Sequence, residues 1–101
     1  MEILGGSAET RALHRKQDGA VEDFTHGIRT VSALLGKAQS AQFDRGEWTF
    51  TVSPGLMAFT AVLRGEWEFP GKHQCEVDRA IKSAGFELSM SDPRIFGGVS
   101  R

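Results

Sequence analysis

The sequence predicts an α+β fold, a two-layer sandwich in which a small, mainly antiparallel sheet of 3–4 strands is covered on one face by helices. Three observations predict it. The chain has 101 residues, which is the size of one compact domain. Apolar residues recur at helical spacing between positions 20 and 38. From position 47 onwards the period changes to two, as in a half-buried strand.

Two helices are predicted in the first 38 residues. Ser7 can cap a short first helix, and Asp18-Gly19 is expected to interrupt it, because glycine costs about 1 kcal/mol inside a helix. In the second helix, apolar residues follow one another at steps of three and four. They are Val21, Phe24, Ile28, Val31 and Leu35. Gly36 is predicted to end this helix.

The next segment predicts strands. Trp48, Phe50 and Val52 alternate with polar residues, and Ser53-Pro54-Gly55-Leu56 is expected to form a type II turn with Gly55 at positive φ. A second strand is predicted from Met57 to Leu63. A third short strand is predicted from Glu66 to Phe69, where Pro70 ends it.

A last helix and a last strand complete the order α-α-β-β-β-α-β. The helix is predicted from about Lys72 to Ala84, with Gly85 in the left-handed conformation after it. The strand follows from the alternation of Phe86, Leu88 and Met90 with polar residues. Residues 1–6 and 94–101 are expected to be flexible tails. The predicted core is Phe24, Ile28, Val31, Trp48, Phe50, Phe59, Val77, Ile81 and Leu88.

Charge does not favour nucleic acid as a partner. The chain carries 12 Lys and Arg against 13 Asp and Glu, a net charge of −1, and the two signs are evenly spread. Binding to phosphates needs a surplus of basic residues on one face. Arg11, Arg15 and Lys16 are the nearest approach to such a surplus. They make weak nucleic-acid binding a third hypothesis, and a solvated helix face is the simpler explanation.

A cytoplasmic protein is the simplest expectation from the remaining composition. Cys75 is the single cysteine, so no intramolecular disulfide can form. Residues 1–6 lack the basic and apolar regions of a secretory signal. No stretch approaches the roughly 18 apolar residues of a membrane span.

Metal and cofactor sites are not predicted. The three histidines, His14, His26 and His73, and the one cysteine do not occur at the spacing of a zinc site. Glycine pairs lie near the termini rather than between a strand and a helix, so no phosphate-binding loop is indicated. A small enzyme or small-molecule binder using Cys75 with His73 is the alternative hypothesis, since Cys75 lies near a helix N-terminus that favours a thiolate. A partly buried structural thiol is the simpler interpretation.

The leading hypothesis is a small non-enzymatic protein–protein interaction module, acting as an adaptor, regulator or inhibitor of a partner protein. Glu47, Glu66 and Glu68 are expected to share the polar face of the sheet and to meet a partner there. Ile95 and Phe96 are expected to dock from an apolar tail. The identity of the partner protein is left open, and a homodimer is a natural form of the same contact.

Overall fold

A computed structural model describes residues 2–65, 69, 71–92 and 94–100, with the side chains of all of these except 2–10, 14 and 90–92. Within these ranges the chain forms two α-helices and five β-strands. They are α1 (Glu2–Gly36), β1 (Ala41–Arg45), β2 (Trp48–Ser53), β3 (Ala58–Leu63), α2 (Gly71–Ser83), β4 (Phe86–Asp92) and β5 (Ile95–Ser100).

The predicted fold class is confirmed. The strands form one antiparallel sheet in the order β1-β2-β3-β5-β4, and both helices pack on one of its faces. The sheet has five strands rather than 3–4. Along the chain the order is α-β-β-β-α-β-β, which fits the predicted order once the first two predicted helices are joined and β5 is added at the end.

Residues 2–36 form one continuous helix, so the predicted interruption at Asp18-Gly19 is wrong, and residues 2–6 lie in its first turns rather than in a tail. Contacts with other elements hold the helix on both sides of Gly19. The Asp18 carboxylate lies 2.9 Å from the His73 ring in α2, and the Ala20 carbonyl accepts a 2.7 Å hydrogen bond from the Trp48 indole. These contacts offset the cost of one glycine.

Within the expected tail at 94–101, Ile95–Ser100 forms strand β5 and pairs on both sides, with β3 and with β4. Gly97 and Gly98 remove the side chains that would have marked an alternation. β1 was not predicted either, since its five residues contain a single large apolar side chain, Phe43. Of the predicted strand Glu66–Phe69, residues 66–68 lie outside the described residues, and Phe69 is not in a strand.

The turn between β2 and β3 differs from the predicted type II turn. Pro54–Leu56 form one turn of 3₁₀ helix, closed by a 3.0 Å hydrogen bond from the Met57 amide to the Pro54 carbonyl. Met57 takes the left-handed conformation, with φ of 51°, instead of Gly55. At the end of α2, by contrast, Gly85 has φ of 91° as predicted.

The core lies between the helices and the inner face of the sheet, and its centre is Phe24 of α1, which is fully buried. Its ring centroid lies 5.0 Å from that of Trp48 and 5.6 Å from that of Phe50. Eight of the nine predicted core residues are buried, and Leu88 is partly buried against them. The faces assigned to α1, β2 and α2 are therefore confirmed.

The N-terminal half of α1 extends beyond this core. A helix of 35 residues is about 52 Å long, which is close to the 55 Å long axis of the molecule. Arg11, Ala12 and Leu13 are exposed, and burial of this helix in the described side chains begins at Gln17. No helix in the described part of the chain has the length and apolar character needed to cross a membrane.

Two glycines of α1 are expected to respond in opposite ways to the same substitution. A Cβ at Gly27 would overlap the buried ring of Phe50, whereas a Cβ at Gly19 meets nothing within 4 Å. Gly19→Ala is expected to raise the free energy of unfolding by about 0.5–1 kcal/mol, because alanine is the better helix former. Gly27→Ala is expected to lower it by about 1–3 kcal/mol, because the core is overpacked. Urea denaturation of the two variants measures both effects, and equal shifts would contradict the packing of α1 on β2.

Candidate interaction surface

The outer face of the sheet is the side that neither helix covers. Side chains alternate along each strand, so the residues between the buried ones point outward. In β3, Phe59, Ala61 and Leu63 are buried, whereas Thr60 and Val62 are exposed. Within the described residues, no element packs on this outer face.

Antiparallel pairing aligns the outward residues of the three central strands in rows. Thr60, in the middle of the sheet, stands between Thr51 of β2 and Gly97 of β5. The corresponding rows at the two ends contain one residue from each of the same strands. Together the nine positions are Thr49, Thr51, Ser53, Ala58, Thr60, Val62, Ile95, Gly97 and Val99. We call these nine residues the outer face.

None of these nine residues is charged, although charged residues make up 25% of the chain. The nearest acidic residues on the same side belong to the flanking strands. Asp44 pairs with Thr49 from β1 and accepts a 2.8 Å hydrogen bond from its hydroxyl, and Glu87 pairs with Val99 from β4. The outer face is thus an uncharged surface of hydroxyl, small and β-branched side chains between two acidic margins.

Two exposed apolar residues lie in the turn between β2 and β3, at one end of the outer face. Leu56 is 74% exposed and Met57 is 45% exposed. We call these two residues the apolar tip. The Met57 carbonyl accepts a 2.7 Å hydrogen bond from the Ser100 amide, which ties the tip to β5 beside Val99. Its left-handed backbone at Met57 is unusual for a residue other than glycine, and such conformations cluster at binding sites.

A shallow depression lies at the opposite end of the outer face. Its volume is about 200 Å³, and it is lined by Val62, Leu63, Arg94 and Ile95. Backbone pairing fixes its shape, because the Leu63 amide donates a 2.8 Å hydrogen bond to the Arg94 carbonyl. The Arg94 guanidinium donates to the Leu63 carbonyl at 3.1 Å, so its charge is held at the edge of the sheet. We call this feature the end depression.

Of the expected carboxylate patch, the structure describes Glu47 alone. The Glu47 side chain lies 3.9 Å from the Lys16 ammonium of α1, so it turns toward the helix layer instead of the outer face. Glu47 precedes the first residue of β2, where the strand alternation has not yet begun. Glu66 and Glu68 lie outside the described residues.

The two apolar residues assigned to a docking tail have different positions. Phe96 is fully buried in the core, within 5.8 Å of the Trp48 ring, so its assignment to a partner contact is wrong. Ile95 is partly exposed and belongs to the outer face. Because Ile95 and Phe96 are neighbours in a strand, they must point to opposite faces.

His73 and Cys75 do not meet. His73 is buried against α1, where its ring stacks on Phe69 at 5.7 Å and contacts the Asp18 carboxylate. Cys75 is exposed and borders an open depression on the solvent side of α2, together with Asp78 and Arg79. Two residues along a helix diverge by about 200°, which explains the separation. The geometry does not place His73 where it could act as a general base for Cys75.

The three basic residues considered for nucleic-acid binding, Arg11, Arg15 and Lys16, lie on the N-terminal half of α1. Arg11 and Arg15 are exposed, and Lys16 approaches Glu47. On the sheet side, Arg45 lies 3.9 Å from the Asp23 carboxylate of α1, and Arg64 donates a hydrogen bond to the Gly46 carbonyl. Among the described residues, no group of three or more His, Cys, Asp or Glu side chains is arranged to hold a metal ion.

Comparison with known proteins gives no further guide to function. Searches of protein-family models, of curated protein sequences and of solved structures found no significant match to this chain. The function must therefore be argued from the outer face, the apolar tip and the end depression.

Two substitutions in α2 separate the structural role of His73 from that of Cys75. His73→Ala is expected to lower the free energy of unfolding by about 1–3 kcal/mol, because a buried ring and its hydrogen bond to Asp18 are lost. Cys75→Ala is expected to change it by less than about 0.5 kcal/mol, because the thiol is exposed. Urea denaturation measures both values. A larger loss for Cys75→Ala than for His73→Ala would contradict the placement of α2.

Proposed function

We propose that this chain is a non-enzymatic protein–protein interaction module that binds a partner protein through the outer face of its sheet. The observation that carries this proposal is the absence of charge at all nine positions of the outer face. Antiparallel sheets with one solvated face usually alternate apolar residues with strongly polar ones. Here the polar positions hold threonine and serine, which cost less to desolvate than charged side chains when a partner covers them.

Composition supports a protein partner of low surface charge. The buried centres of protein interfaces are depleted of charged residues, and a polar rim surrounds them. The outer face has the same arrangement, since Asp44 and Glu87 stand on the flanking strands and the uncharged residues lie between them. We therefore expect a partner surface that is uncharged at its centre.

Rigidity supports the same function. The residues of the outer face belong to three strands that are hydrogen-bonded on both sides, and their other face is anchored in the core. A surface that is already ordered loses little conformational entropy when it binds. Exposed apolar side chains on it, such as Val62 and Val99, add hydrophobic burial.

The contacts of the alternative site favour this proposal over an enzyme based on Cys75. The exposed thiol and the buried His73 ring lie on different sides of α2, so the two cannot act as nucleophile and base. A single free cysteine suits a reducing compartment, and we place the module in the cytoplasm as part of the same proposal.

A charge placed at the centre of the outer face tests the proposal. Thr60→Lys introduces an ammonium group at the middle of β3, and Thr30→Lys makes the same change at an exposed position of α1. The wild type and both variants are used as bait in a lysate of the source cells, and bound proteins are identified by mass spectrometry. We expect partners that the wild type and Thr30→Lys retain and that Thr60→Lys loses by at least tenfold.

Thermal unfolding of the three baits provides the control, since both positions are exposed and the midpoints should agree within a few degrees. Recovery of the same proteins by all three baits contradicts the proposal, because binding then does not use the outer face. Failure of the wild type to retain any protein, its own chain included, contradicts it as well.

A further inference from the structure

We propose that the outer face binds a second copy of this chain, face to face, around a two-fold axis that lies between the sheets and runs perpendicular to the strands. This inference rests on the proposed function, since it names the partner of the same surface. It is carried by the self-complementarity of the outer face, the apolar tip and the end depression.

Charge permits self-association at this surface. Two copies of an uncharged face meet without like-charge repulsion, whereas a face of lysines or glutamates would repel its own copy. The margins are compatible with the same axis. A two-fold rotation about an axis perpendicular to the strands reverses the direction of the strands in the second copy. Asp44 of one copy and Asp44 of the other therefore lie toward opposite ends of the interface.

Shape then selects this axis. The apolar tip, Leu56 and Met57, stands at the end of the outer face that contains Ala58 and Val99. The end depression lies at the other end, beside Val62 and Ile95. The proposed rotation places each end of one copy over the opposite end of the other. The tip of each copy therefore meets the depression of its partner, and an axis along the strands would place tip against tip.

Volume and area are consistent with such a contact. The end depression of about 200 Å³ is large enough to receive one aliphatic side chain such as Leu56. The three strands of the outer face, spaced about 4.8 Å apart with outward residues over about 17 Å, give a face of roughly 250 Å². Two such faces and the exposed side chains of two tips bury roughly 700–1,000 Å², which is the range of weak and transient complexes. We therefore expect a dissociation constant in the micromolar range.

Sedimentation over a wide concentration range tests the dimer. The wild type is expected to pass from monomer to dimer between about 1 and 500 µM, and Thr30→Lys is expected to follow the same curve. Thr60→Lys places two ammonium groups near the two-fold axis and is expected to raise the dissociation constant at least tenfold. Leu56→Ser is expected to raise it as well, because the tip no longer fills the depression.

Disulfide trapping tests the geometry with proteins that remain folded. In a Cys75→Ser background, Thr60→Cys is expected to form a covalent dimer under mild oxidation, because Thr60 lies near its own copy at the axis. Thr30→Cys is the matched control and is expected to remain monomeric. The double variant Leu56→Cys/Val62→Cys is expected to cross-link between copies more efficiently than either single variant, since the axis brings tip and depression together.

The outcomes separate this inference from the proposed function. A wild type that stays monomeric up to 500 µM overturns the dimer. The interaction module is still supported in that case if the wild-type and Thr30→Lys baits retain another protein that the Thr60→Lys bait loses. A dimer that is unaffected by Thr60→Lys and is not trapped through Thr60→Cys also overturns the inference, because it forms elsewhere, as on the exposed N-terminal half of α1. Trapping through Leu56→Cys alone would indicate the other axis and overturn the stated geometry.

Discussion

Packing of Phe24 against the inner face of the sheet is the interaction on which the structure depends. This one ring of α1 lies within 6.3 Å of rings on all three central strands, Trp48 and Phe50 on β2, Phe59 on β3 and Phe96 on β5. It fixes the helix over the middle of the sheet. Both helices therefore lie on one side of the sheet, and no described element packs on the opposite face.

Periodicity predicted the elements that carry their own pattern. The 3,4 spacing around Phe24 located the buried helix, and the alternation around Phe50 located β2. The sequence rules failed where distant residues decide the outcome. Gly19 remains helical because Trp48 and His73 hold its neighbours, and β5 is buried by two strands that flank it although Gly97 and Gly98 interrupt its alternation.

The sequence predicted that one face of the sheet is the candidate site, but it did not predict which residues form that site. The free face of the sheet was expected, and charged residues were expected to mark it. Glu47 instead turns to Lys16, and Phe96 is buried one residue away from the partly exposed Ile95. The sequences of β2 and β3 did indicate an uncharged face, because threonine and valine occupy alternate positions where lysine and glutamate are common on a solvated face. The apolar tip depends on a backbone conformation at Met57 that no local rule predicts.

Gly98 and Thr60 illustrate two different constraints on the sequence of this chain, one from packing and one from the proposed binding. A Cβ there would lie 2.8 Å from the ring of Phe59 and from the Cβ of Phe86, so every other residue would force β5 away from its neighbours. Natural selection for a folded chain is enough to keep this glycine. The Thr60 side chain is exposed and does not contact the core, so packing alone does not require threonine at this position. When homologous sequences are compared, retention of glycine at 98 will therefore report the packing of β5 against Phe59 and Phe86, whereas the proposed function predicts that position 60 also stays uncharged.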